Sequence, residues 1–160
     1  MGRALRIDIG DEIYHVLNRA NARMTIFEEE KDYRDFETIL EEAKNRYPIK
    51  IFSYQIVPNH WHFCLSPKNN GDMTKFVQWL TLTHTQRWHA SHRSIGAGHL
   101  YQGRYKSFLV QKDNYFLQLC RYIENNALRA KLIQKAEDWR WSSLWRREHG
   151  NDKQKELLSP

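Results

Sequence analysis

The sequence predicts an α+β domain, with helices layered on an antiparallel sheet. Three observations carry this expectation. Segments of period-two alternation are interleaved with segments of helical period. Two of the alternating segments are separated only by Pro58-Asn59, a break short enough to make them paired neighbours. With 160 residues and 41% hydrophobic content, the chain is long enough to bury one real core.

The elements follow in order. "EIYHVLNRA" (12–20) reads as a strand, with Ile13, His15 and Leu17 on one face and Tyr14 and Val16 on the other. From about Asp32 to Tyr47, Phe36, Ile39, Leu40 and Ala43 recur at helical spacing, and Pro48 stops the helix. "IKIFSYQIV" (49–57) is rich in β-branched and aromatic residues and reads as a strand that pairs with 60–66. "NNGDM" (69–73) is a turn with Asp72 as N-cap, followed by a helix over 73–93 with Phe76, Val77, Leu80 and His84 on one side. "SIGAG" (94–98) is a flexible connection, and "HLYQGRYKSFLVQ" (99–111) is a strand with Gly103 as a possible bulge. Asp113 caps a last long helix to about Ala130. "DWRWSSLW" (138–145) is a packed turn, and the charged segment 147–160 after the 1–146 domain is expected to be a flexible tail. The order β-α-β-β-α-β-α is that of a ferredoxin-like, split β-α-β sandwich.

Charge is distributed unevenly. Residues 1–72 carry ten Lys/Arg against twelve Asp/Glu, and residues 113–160 carry nine against seven. Between Met73 and Lys112 there is no acidic residue, while six basic ones are interleaved with Trp79, Trp88, Tyr101 and Tyr105. Such a stretch suits a polyanion whose bases stack, and equally a solvated basic helix beside a core strand. No apolar run reaches the roughly 20 residues of a membrane span, and the start "MGRALRIDIG" lacks a signal peptide's apolar core. Two cysteines, Cys64 and Cys120, form no disulfide framework and suit a cytoplasmic location.

"VPNHWHFCL" (57–65) poses the chemical question. In a strand, Trp61, Phe63 and Leu65 share one face and His60, His62 and Cys64 the other. Two neutral imidazoles at i and i+2 can converge on one divalent cation, or they can be a hydrogen-bonded pair at a sheet surface. In "RYIENNALRA", Tyr122 and Asn126 are four apart on one helix face, with Tyr115 and Leu119 extending the stripe backwards. That pair is a packed Tyr with an Asn near a helix end, unless it faces a metal.

From about residue 11 to 146 the chain resembles the REP-associated tyrosine transposases, within the single-tyrosine HUH nuclease superfamily. The resemblance rests on "YHVLNRANAR…IF", "VPNHWHF", "GHLYQGRYKSFLV", "YFLQLCRYIENNALRAKL" and "WRWSS", in order. It implies an HUH-type fold, metal ligation by His60, His62 and Asn126, and Tyr122 as nucleophile. The implied activity is cleavage and rejoining of single-stranded DNA, in palindromic repeat hairpins, through a 5′-phosphotyrosine link with Mg²⁺ or Mn²⁺ bound. Arg104 and Lys106, expected on one strand face, are the candidate phosphate contacts, and His15 supports the metal ligands at most from behind. Trp141, Ser142 and Ser143 match a family block and are read as structural. Ala20 stands where the family usually has Gly. Ala127 stands for its usual Pro, which would let the helix continue and move Asn126. Two other readings stay open: a hairpin-binding protein that has lost catalysis, and a zinc hydrolase using His60, His62 and a further ligand, with Cys64 one candidate. No membrane partner is expected, and the chain is a monomer or a homodimer.

Overall fold

The computed structural model describes residues 6–94, 98–111 and 114–159. The readings of the extreme N-terminus, of most of the 94–98 connection and of the Asp113 cap lie outside these residues. Four strands, β1 (Ile13–Arg19), β2 (Ile49–Val57), β3 (His60–Pro67) and β4 (Lys106–Val110), form one sheet of order β2-β3-β1-β4. All three pairings are antiparallel. With α1 (Glu30–Arg46) after β1 and α2 (Asp72–Ser91) after β3, this is the expected α+β, split β-α-β arrangement.

Alternation sorts the side chains onto two unequal faces. Val16, Tyr54, Trp61, Phe63 and Leu65 point into the main core, against Phe36, Ile39 and Leu40 of α1 and Met73, Phe76, Val77 and Leu80 of α2. The opposite face, with Ile13, Cys64 and Val110, is covered by Leu119 and Ile123 of α3 (Asn114–Glu124). Each fully buried Leu or Ile contributes roughly 1.5–3 kcal/mol. The second core is small, so only part of this face is sealed. His60 and His62 lie on its incompletely buried part.

Several elements differ from expectation for identifiable reasons. Gly71, at φ 88°, takes the N-cap position of α2, where a left-handed backbone favours glycine. Asp72 is the first helical residue, and its carboxylate accepts from the Asn69 backbone and side-chain amides at 3.0 Å each. β4 is shorter than 99–111. Tyr101 makes a single bridge to Ala20, and the chain bends through 102–104 before pairing resumes. The buried Tyr101 hydroxyl holds that bend inward, accepting from Trp61 Nε1 (2.9 Å) and meeting His84 Nδ1 (2.6 Å). Gly103 therefore lies in a bend and makes no bulge in a ladder.

The tail is ordered, contrary to its charge. α5 (Ser143–His149) and α6 (Asp152–Lys155) fold back on the sheet. Arg146, only 2% exposed, donates to Tyr54 Oη (2.6 Å) and to Gln154 O (2.9 Å). Leu157 joins the main core, and Ser159 N donates to Ile51 O at 2.8 Å. Lys and Glu side chains on short helices stay in water while one leucine anchors the segment, so charge alone was a poor guide.

Candidate metal and nucleophile site

β3 starts at His60, so the histidines occupy the end of a central strand where the α3 layer runs out. Their ring centroids are 5.0 Å apart, at 84°. Burial, with Arg19 nearby, lowers the His60 pKa to about 4. Burial, with His60 and His15 adding, lowers His62 to about 3, and burial lowers His15 as well. All three rings are neutral at pH 7, the state that ligates metal.

The ring nitrogens are individually assigned work. Asn59 Oδ1 lies 2.6 Å from His60 Nδ1 and accepts its proton, leaving a lone pair on Nε2. Asn126 Nδ2 donates to that lone pair at 3.1 Å. His62 Nδ1 and His15 Nε2 are 3.0 Å apart, with the rings stacked at 5.3 Å. When His62 donates in this pair, its own Nε2 is free. Such partners behind metal-ligating histidines fix tautomer and orientation.

Asn126 reaches His60 by a route the helical spacing did not foresee. α3 ends at Glu124, Asn125 is a turn, and α4 (Asn126–Arg129) starts afresh, so the helix is not continuous to Ala130. The break forms without proline. Gln55, fully buried on β2, donates from Nε2 to Glu124 O (3.0 Å) and accepts from Ala127 N (2.6 Å). One carboxamide thus satisfies a carbonyl at the end of α3 and an N–H at the start of α4. The expected uniform stripe is absent: Leu119 is buried, while Tyr115 and Tyr122 are 57% and 54% exposed.

Tyr122 stands on the last turn of α3. Its ring lies beneath the Arg129 guanidinium of α4, 3.8 Å from the centroid. Arg129 is near enough to His62 for its charge to depress that imidazole's basicity. The Trp141–Ser143 block secures the helix end from behind: Ser143 Oγ donates to the buried Glu124 carboxylate, which also receives Arg147 Nη1 at 2.5 Å.

Arg104 and Lys106 do not share a strand face, because Arg104 lies in the bend and only Lys106 in β4. They nevertheless meet, lining a recess of about 170 Å³ with Arg19 and Gln102. Cys64 does not join the histidines. Its buried thiol is hydrogen-bonded to Cys120 and pushed up by that bond and by burial, and so remains protonated. Among the described residues no three His, Cys, Asp or Glu side chains converge as a metal site. A cation here would have as donors the two neutral imidazoles and, with its amide turned from the present Nδ2 contact to offer Oδ1, Asn126. Sequence reasoning missed Asn59, Gln55 and Arg129. The one available signal was Gln55, an amide in the run 54–57 that alternation and neighbours mark for burial.

A split β-α-β sheet with a His-x-His strand on the face covered by a tyrosine-bearing helix defines the class of fold and site. The family model for IS200-like transposases matches residues 10–126, and the chain belongs to that family. A REP-associated tyrosine transposase, solved bound to a REP hairpin, matches with TM-score 0.76 at 17% identity, over 99% of this chain and 89% of that one. A protein of Deinococcus radiodurans R1 described as a candidate transposase matches with TM-score 0.53 at 18% identity, over 78% of this chain and 95% of that one. No curated protein matches the sequence. No helix among the described residues is long and apolar enough to cross a membrane.

Proposed function

We propose that this member of the IS200-like transposases is a metal-dependent single-stranded DNA endonuclease and strand transferase. Its substrate would be a hairpin-forming repeat, the kind of ligand on which the similar solved transposase was captured. The observation that carries the reading is the contact between His60 Nε2 and Asn126 at 3.1 Å, beside a helix end bearing Tyr122. A Mg²⁺ or Mn²⁺ ion held by His60, His62 and Asn126 would supply positive charge to a non-bridging oxygen of the scissile phosphate. Of the two, the transition metal Mn²⁺ accepts imidazole nitrogen more readily than the oxygen-seeking Mg²⁺.

The chain's own groups do the rest. Asn59 and His15 keep the imidazoles in ligating tautomers. Arg129 holds the Tyr122 ring and adds positive charge where the phosphate would lie. The Tyr122 oxygen attacks phosphorus as its proton leaves to water, and the P–O3′ bond breaks, giving a 5′-phosphotyrosyl strand and a free 3′-hydroxyl. The phosphotyrosyl link conserves the bond energy for rejoining, and passing through it is nucleophilic catalysis. The reading as a binder without catalysis rested on Ala127, and Gln55 provides the helix break without proline.

The test is incubation with hairpin-bearing single strands and Mn²⁺, followed by denaturing gels. The parent should form a covalent protein–DNA band. Tyr122→Phe should bind DNA without forming it, and His60→Ala with His62→Ala should fail even in excess Mn²⁺. A parent that binds hairpins and never forms the band would contradict the proposal.

A further inference from the structure

Beside the histidines lies a cavity of about 630 Å³, lined by Arg19, Ala20, Ala22, Asn59, His60 and Gln102. That volume is typical of a small-molecule site. It shares Arg19 and Gln102 with the recess at Arg104 and Lys106, so the two form one track running from β4 to His60. Resting on the proposed single-strand activity, we infer that the cavity receives one unpaired purine of the bound strand, and the recess a neighbouring phosphate.

The lining chemistry differs along the track. The recess has three cations, Arg19, Arg104 and Lys106, and among the described residues no acidic one lines it. The cavity has amides and one guanidinium, groups that hydrogen-bond base edges. Asn59 spends Oδ1 on His60 and keeps its Nδ2. Arginine pairs in bidentate fashion with guanine O6 and N7, and glutamine with adenine N6 and N7; both are purine edges. Ala20 and Ala22 fill little of the space.

The frame is built to hold its shape. Ala20 N donates to Asn59 O (2.9 Å), Asn21 N to Leu100 O (2.7 Å) and Gln102 N to Arg19 O (3.0 Å). Ala22 sits at φ 53°, ψ 29°, a left-handed conformation uncommon for alanine that turns the chain around the cavity rim. A nucleotide whose phosphate reaches His60 has a neighbour beside this opening, so the base site and the proposed metal site serve one strand.

The experiment measures binding by fluorescence anisotropy in EDTA, where cleavage is absent. The probes are short thymidine strands in which one central residue is thymine, guanine, adenine or abasic. A single purine should tighten binding at least about fivefold over the thymine and abasic strands. Arg19→Ala with Gln102→Ala, both exposed positions, should abolish that gain while leaving the circular dichroism spectrum unchanged. Arg104→Ala with Lys106→Ala should instead weaken all strands alike and flatten the salt dependence. Equal affinity for purine, thymine and abasic strands, or a purine gain that survives in the Arg19/Gln102 variant, would overturn the base site. Absence of a covalent adduct with Mn²⁺, alongside an intact purine gain, would instead count against the catalytic reading alone.

Discussion

His60 is engaged at both ring nitrogens, by Asn59 and Asn126, whereas His62 has His15 behind it. These contacts make the neighbours testable apart from the ligands. His15→Phe keeps a ring against His62 and removes the proton acceptor. It should weaken Mn²⁺ binding roughly 10- to 100-fold by calorimetry, and unchanged affinity would show that His62 needs no partner. Gln55 is tested by coupling. Gln55→Leu strands the Ala127 N–H and the Glu124 carbonyl in a buried setting and should cost about 2–4 kcal/mol in urea unfolding. Ala127→Pro removes the N–H at the N-terminal end of α4, where proline is tolerated. Because the two residues share a hydrogen bond, the double variant should cost less than the sum of the singles. Strict additivity would mean that the brace contributes nothing.

At the scale of elements, the break between α3 and α4 and the return of the tail matter most. Leu157 is 5% exposed in the main core, so Leu157→Ala should destabilise by about 2–4 kcal/mol. A change below ~0.5 kcal/mol would mean the tail is loosely held. Most of the strands, α1 and α2 were legible because alternation and helical spacing are local signals. The division of His60 and His62 from Trp61 and Phe63 followed from that alternation alone. The helix break was not legible, because its cause is Gln55, about 70 residues upstream, and no local propensity encodes such a contact. The tail was not legible for a similar reason: Leu157 and Ser159 are fixed by the distant core and by Ile51 O. The bend at 102–104 likewise depends on Tyr101 meeting Trp61 and His84.

Across the whole molecule, buried neutral histidines link stability to pH. His60, His62 and His84 titrate at about 4, 3 and 3 in the folded chain, each lowered chiefly by burial. In the unfolded chain they take up protons below about 6.5. The unfolded state therefore binds more protons between about pH 6.5 and 3, and stability falls as pH drops through that window. The contribution is fully present above it. His84 is 2% exposed, and its share of the loss between pH 6.5 and 5 is on the order of 2 kcal/mol. In metal-free urea titrations at those two pH values, His84→Gln should show a loss smaller by about that amount. An identical loss would place the acid sensitivity elsewhere.

The central claim is that Tyr122, at the end of α3, is the residue that becomes joined to DNA. Peptide mapping by mass spectrometry of the adduct formed with a hairpin-bearing strand and Mn²⁺ tests it most directly. The account predicts a phosphonucleotide on the peptide containing Tyr122, and none on the peptide containing Tyr115. A label on Tyr115, or an adduct of equal yield from Tyr122→Phe, would contradict it.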